Sequence, residues 1–486
     1  MTRGLDDGSV DLGDVARRIA EMAAGSEQVE AYVARRRETA VRVYDGAVES
    51  LTSATSTGIG VRVVRDGRQG FASTGSLSAG GEAGAHAIGP ALAAVLDAAR
   101  TNAAFASPDD NGGIAEPDGI APADLGLWRD ETVATPVADK IALAVDLDRR
   151  LRDADSRVRQ VPSSNYGDVA SEVAIATSAG IRAATRRTSC HLSASVLVGT
   201  GAKTQSGTGF AVGRAPGDLD AEEAAQDALD RALRLLGARK GTSGEVTVVF
   251  DPRVTAVVLS VIAGALAGDV AVKGRSMFTG RLGESVAAGH VTLVDDPTDA
   301  RAFSAASVDA EGMACRRNVL VDAGVLRGFV HDSRSGRMAG TGSSGSAVRG
   351  GYATTPGAGC RALVLRPATR GTGRGDGAPP GTGGIAGTGG SGRDEILAMV
   401  GEGLYVQSVT GVHSGANPVS GDFSVAAEGV RIAGGGFAEP VREVTIASTL
   451  QRMLASVLAI GSDIDWLPGI AAGQTVAIEG MRMSGR

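Results

Sequence analysis

Residues 414–464, SGANPVSGDFSVAAEGVRIAGGGFAEPVREVTIASTLQRMLASVLAIGSDI, decide how the second half of this chain folds. EGVRIAGGGFAEPV and REVTIAS read as strands, rich in the β-branched residues a pleated sheet accommodates. The periodicity after them predicts an amphipathic helix over 449–460. The Gly-rich loop at the start of the stretch, GVHSGANPVSGDFS, sets His413 among Ser414, Asn417 and Asp422. Two readings fit it: a substrate contact or proton shuttle, or a loop histidine bonded to backbone in a tight turn.

Upstream, HVTLVDD and GVLRGFVHD continue the short-strand pattern. Residues 257–285, VVLSVIAGALAGDVAVKGRSMFTGRLGES, differ. They predict an apolar helix over 254–268 that feeds a loop marked by Lys273, Arg275 and Arg281. Those cations fit contact with substrate carboxylates or with a partner, and equally a solvated loop face. The helix has no His, Cys, Glu or Asp before Asp269. Residues 369–392, TRGTGRGDGAPPGTGGIAGTGGSG, lack the apolar side chains that repay ordering entropy and read as a flexible insertion.

The first half mixes helices and strands. Leu12, Val15, Ile19 and Met22 recur at helical spacing, and further helices are expected at 84–101, 137–153 and 221–236. Asp220 is placed to cap the last of these and Gly237 to end it. VEAYVARRR, TAVRVYDGAVESLT and GIGVRVVRDGRQGFAS read as strands turned at Asp45-Gly46 and Asp66-Gly67. Residues 158–215 read as several short strands, among them EVAIAT and IRAATR about Ser178-Ala179-Gly180. EVTVVFDP is a strand closed by Pro252. The expectation is an α+β protein. A mixed N-terminal domain with antiparallel strands and flanking helices spans 1–240, and a β-rich C-terminal domain spans 241–486.

Composition narrows the function. The 486 residues include 71 glycines, about twice the usual share. A net charge of −7 with no long basic run argues against a nucleic-acid partner. Cys190, Cys315 and Cys360 stand far apart, which suits a reducing cytoplasm. The N-terminus lacks the apolar region of a secretory signal, and the longest apolar run, Val254 to Gly268, is too short to span a bilayer.

Catalytic motifs fail in turn. SVLVGTGAKT has Leu197 and Ala202 where a phosphate loop needs glycine. No GxSxG elbow occurs, and the five histidines are scattered. Asp309 and Glu311 fit either an acid/base carboxylate pair or alternating strand residues in solvent.

The opening stretch closely resembles the C-terminal signature of the TldD/TldE proteins, also called the PmbA or modulator-of-gyrase family. DAEGMACRRNVLVDAGVLRGFVHDSRSGRMAG and KGRSMFTGRLGE resemble further segments of that family, as do VARRIAEMAAGSEQVEAYVARRRETAVRVYDGAVESLT and ATSAGIRAATRRTSCHLSASVLV in the first half. Only 369–392 falls outside the likeness.

The resemblance implies one of two subunit kinds. The TldD kind is a zinc metallopeptidase with an HExxxH helix and a third ligand, a cysteine near the C-terminus. The TldE kind shares the fold without the ligands. Anchored on Gly268-Asp269, the HExxxH positions fall on Leu259, Ser260 and Gly264, and DIDWLPGIAAGQTVAIEG holds no cysteine. The resemblance therefore implies a metal-free, TldE-type chain paired with a zinc-bearing TldD-type subunit, acting on peptides or peptide-like substrates. The alternatives are a stand-alone, metal-independent amide hydrolase or tailoring enzyme, and a non-enzymatic regulator.

Overall fold

The computed structural model describes residues 10–75, 82–368 and 392–485, so all of the expected insertion but Gly392 lies outside the described residues. The architecture is α+β, and two compact units interleave along the chain. The first comprises Met1–Leu233, Pro297–Arg316 and Val330–Gly359; the second comprises Arg234–Asp296, Arg317–Phe329 and Cys360–Arg486.

The first unit is built on a six-stranded antiparallel sheet. Its strands are β1 (Gln28–Tyr44), β2 (Ala47–Arg65), β3 (Arg68–Thr74), β4 (Val158–Thr177), β5 (Arg182–Val198) and β6 (Gln205–Gly213), in the order β3-β2-β1-β4-β5-β6. Asp45-Gly46 and Asp66-Gly67 make the first two turns, with φ of 52° and 76° and of 49° and 70°. That left-handed pair is what a two-residue hairpin requires. The short strands expected over 158–215 are instead two long ones, β4 of 20 residues and β5 of 17. Helices α1 (Leu12–Glu21), α2 (Glu82–Phe105) and α4 (Val137–Ala154) pack on the sheet, and a short α3 (Asp130–Ala134) precedes the last. Side chains alternate across a strand, so Val29, Ala31 and Val33 of β1 and Ile59, Val61 and Val63 of β2 share one face. They form a core with Leu12, Val15 and Ile19 of α1 and Leu92 and Leu96 of α2. Helix α5 (Ala221–Arg234) starts at Asp220, whose Oδ1 accepts the Glu223 N–H at 2.9 Å.

The alternate residues Glu30 and Arg62 turn to the opposite face and meet the later segments of the same unit. Arg62 Nη2 donates to Glu30 Oε2 at 2.5 Å and to Glu311 Oε1 at 2.9 Å. Arg349 Nη2 donates to Glu30 Oε1 at 2.5 Å, with its guanidinium 4.3 Å above the Tyr32 ring. Burial alone would raise the Glu30 carboxyl, but Arg62 and Arg349 together hold it below the usual carboxylate range. The solvent-facing reading of Asp309 and Glu311 is overturned: they are 2% and 0% exposed. Asp309 Oδ1 accepts the N–H groups of Glu311 and Met313, and Oδ2 accepts that of Ala347, so the pair ties loops together. Burial first, and then the Glu311 carboxylate, push Asp309 up to about 7.

One edge of this sheet is incomplete. β3 pairs with Ile59–Arg65 of β2 only, so among the described residues 47–57 have a strand partner, β1, on one side alone.

The second unit contains a four-stranded antiparallel sheet, β11-β10-β9-β14, from β9 (Val291–Asp295), β10 (Asn318–Asp322), β11 (Val325–Leu326) and β14 (Leu363–Pro367). The intervening α8 (Ser333–Ala339), β12 (Ala347–Val348) and β13 (Gly357–Ala358) belong to the first unit. Its larger sheet draws on β7 (Arg239–Lys240), β8 (Gly244–Phe250), β15 (Gly403–Thr410), β16 (Asp422–Ala433), β17 (Gly436–Thr449), β18 (Val457–Ile460) and β19 (Val476–Ser484). β19 pairs with both β8 and β17, so β8, β15, β16, β17 and β19 close into a ring. Helix α9 (Arg393–Val400) buries Ile396 and Leu397 against Val249, Tyr405, Ile432 and Ala477 from those strands. The helix expected over 449–460 is shorter: α11 covers Leu450–Ala455, and Val457–Ile460 is strand β18, paired with β19. Among the described residues no helix is long and apolar enough to cross a membrane.

Candidate functional site

The apolar helix of the sequence is α6 (Pro252–Ala265), followed by a single turn, α7 (Gly268–Ala271). Pro252 fits the first position of α6 because its missing N–H has no partner there in any helix. Asp251 caps it, accepting the Arg253 N–H at 3.0 Å and, on its other oxygen, the Tyr405 hydroxyl of β15 at 2.7 Å. Val254, Val258, Leu259, Ile262 and Ala263 make its buried face. The three positions of the metal-binding motif are now explicit. Leu259 is core, 3% exposed. The Ser260 hydroxyl donates to Ala256 O on its own helix at 2.8 Å. Gly264 is exposed, with open space where a side chain would start. Methyl groups, a hydroxyl turned onto its own helix and a bare backbone do not fit zinc, which needs imidazole, carboxylate or thiolate. Among the described residues no group of three or more His, Cys, Asp or Glu could hold a metal ion. All three cysteines are buried.

Two loops converge at the C-terminal end of α6. The Ser276 hydroxyl donates to Ala265 O at 2.6 Å and accepts the Phe278 N–H at 3.0 Å. The Met277 N–H then donates to Pro418 O at 3.1 Å, joining the cationic loop to the one bearing His413. Sequence reasoning passed over Ser276; its one local signal is Thr279 three residues on, whose Oγ1 accepts the Ser276 N–H at 3.3 Å. We expect Ser276→Ala to leave a buried carbonyl and amide unpaired, at a cost of about 1–3 kcal/mol. Hydrogen exchange over 268–283 should accelerate, and unchanged protection would remove Ser276 as the tether.

The anticipated contact residues sit on these loops. Lys273 is exposed, its Nζ 3.9 Å from Asp269 Oδ2 one turn back, and Arg275 is exposed beside it. Arg281 Nε donates to Glu284 at 3.0 Å and its Nη2 to Ser285 O at 2.8 Å. His413 is exposed on α10 (Val412–Gly415), a single helical turn. Its neighbours serve their own loop. Ser414 Oγ donates to Gly411 O at 3.1 Å, and Asn417 Oδ1 accepts the Val419 N–H at 2.8 Å. Asp422 Oδ2 accepts the Ser420 hydroxyl at 2.7 Å. The structure thus brings both loops together and leaves Lys273, Arg275 and His413 outward.

Comparison with known proteins defines the class of this architecture. Models of the PmbA/TldA metallopeptidase domains match residues 29–103 (domain 1), 131–236 (central domain) and 243–485 (C-terminal domain). The chain belongs to the PmbA/TldD family. It is 26% identical to the metalloprotease PmbA of Escherichia coli over 96% of this chain and 94% of that protein. It is 34% identical to a metalloprotease TldD homologue of Haemophilus influenzae, over 45% of this chain and 47% of that one. The crystal structure of TldE from Thermococcus kodakarensis superimposes with a TM-score of 0.81 at 20% identity, covering 94% of this chain and 97% of that one, and shares the fold.

Proposed function

We propose that this chain is the non-catalytic, TldE-type subunit of a heteromeric zinc peptidase. It pairs with a TldD-type subunit bearing HExxxH and a C-terminal cysteine, in the cytoplasm. Together they hydrolyse a peptide or amide bond in a peptide or peptide-like natural-product intermediate. One observation carries this reading: α6 is capped, packed and buried, yet Leu259, Ser260 and Gly264, where the resemblance sets the HExxxH positions, offer no ligand. Lys273, Arg275, Arg281 and His413, on the joined loops, are the groups proposed to touch the partner or substrate carboxylates. The Asp309–Glu311 alternative is weakened because their carboxylates already bind Arg62 and four backbone N–H groups.

The test is zinc content and peptide hydrolysis of the chain alone, and then co-purified with an HExxxH-bearing subunit from the same genome. The lone chain should be inert and without stoichiometric zinc, and the pair should bind zinc and cleave in a chelator-sensitive way. Zinc-dependent cleavage by the lone chain would overturn the reading.

A further inference from the structure

We propose that a cleft beside the start of α1 binds the carboxylate of an aliphatic amino-acid unit, with Arg186 as the group that holds it. The site lies wholly within the first unit and is independent of the pairing proposed above. The cleft measures ≈ 490 Å³ and opens between the Val10–Gly13 turn and strands β4 and β5. That volume falls in the lower part of the range for small-ligand sites, room for one residue and little more.

A row of three charges across the sheet sets its chemistry. Arg35 of β1 stands opposite Glu172 of β4, and Glu172 stands opposite Arg186 of β5. One carboxylate thus lies between two cations, and it serves the buried one. Arg35 Nη1 donates to Glu172 Oε2 at 3.2 Å, and its Nη2 donates to Val10 O at 3.0 Å. Arg186 is left an anion short: among the described residues it makes no ion pair. Its guanidinium lies 5.0 Å over the Trp128 ring, whose Nε1 donates to Asp130 Oδ1 at 2.7 Å. Stacking fixes the plane of the fork, and the N–H edge suits a planar acceptor with two oxygens.

The rest of the lining narrows the ligand. Asp11 and Glu172 border the cleft, so a phosphate dianion would face two carboxylates, and a single negative charge is repelled less. Asp11 Oδ1 is itself engaged by the Gly13 and Asp14 N–H groups. Val10, Leu12, Ala174 and Ala184 supply apolar walls. The two alanines are direct partners across β4 and β5, and their small side chains leave the space an aliphatic group would fill. The chemistry is therefore a carboxylate on an aliphatic residue, offered by a free N-acyl amino acid or by the last residue of a peptide.

The experiment titrates the full chain calorimetrically with N-acetyl-leucine, N-acetyl-leucinamide and alanyl-alanyl-leucine. The acid should bind saturably at one site per chain. The amide keeps the side chain without the charge and should bind at least about tenfold more weakly, as expected when a charge-assisted bond is lost. Arg186→Gln should weaken the acid as much and leave the amide unchanged. Arg182→Gln, two residues along the same strand and tied to Thr177 O, should alter neither. Ala184→Leu should abolish binding of both with the thermal midpoint retained. Tripeptide binding as tight as that of the acetylated acid assigns the site to peptide ends, and exclusion of the tripeptide assigns it to the free acid. Acid and amide binding alike, no saturation by either carboxylate, or equal losses at 186 and 182 overturns the proposal.

Discussion

Replacing Arg62 with methionine should destabilise the protein by about 3–5 kcal/mol, the range for breaking a buried ion pair from one side. Arg62 is 3% exposed and bonds two carboxylates that are themselves buried, Glu30 and Glu311. Methionine fills much of the volume but leaves Glu311 with the Ser333 N–H alone and Glu30 with Arg349. Thermal unfolding should show a fall on the order of 10 °C for a domain of this size. Removing a charge of each sign, Arg62→Met with Glu311→Gln, should recover part of the loss, because the penalty lies in the unpaired charge more than in the missing bond. Arg157→Met, which breaks only the partly exposed pair with Asp155, should change stability by less than about 1 kcal/mol. Equal effects at 62 and 157 would show that the buried network is not what holds these segments.

The second large effect is expected at Gly429, in the ring of strands. A Cβ there would overlap the Tyr405 carbonyl oxygen and lie 2.9 Å from Tyr405 C and 3.0 Å from Val406 Cα. These are backbone atoms of β15, at the irregularity where the β15–β16 register shifts, so no side chain can swing aside to make room. Gly429→Ala should therefore cost about 3 kcal/mol, the upper part of the overpacking range. The strain also reaches the candidate site, since Tyr405 anchors the Asp251 cap of α6. Soluble yield and thermal midpoint should both drop. Gly244→Ala, with open space around the added methyl, is the control and should be nearly neutral. If both variants behave alike, close backbone approach is not the reason for glycine at 429.

Where the deciding signal is local, the residues announce the structure. Asp-Gly pairs give hairpins, Asp220 starts a helix, and regular apolar spacing marks α1 and α4. Where the decision belongs to a distant partner, local reading errs. VLAI at 457–460 continues a helical period, but β19 recruits it as a strand. Asp309 and Glu311 alternate like surface residues, but Arg62 and the Ala347 N–H draw them inside. The candidate site divides the same way. That α6 lacks ligands is visible in the residues at 259, 260 and 264, because chemistry needs particular side chains. That its two loops meet is not visible, because the link is one backbone N–H of Met277 on one carbonyl of Pro418. Any residue but proline at 277, and any residue at 418, could make that bond.

The closed ring of strands also fixes a schedule for the newborn chain. β8 is made first, yet its two neighbours, β15 and β19, emerge only much later. At ordinary translation speeds, with ~230 residues between β8 and the end of β19, that wait is on the order of 10–50 s. Until β15 is made, GEVTVVF has neither of its sheet neighbours, and until β19 follows it has only one. The ring therefore closes only once β19 has emerged, and truncation ahead of β19 leaves a ring that never shuts.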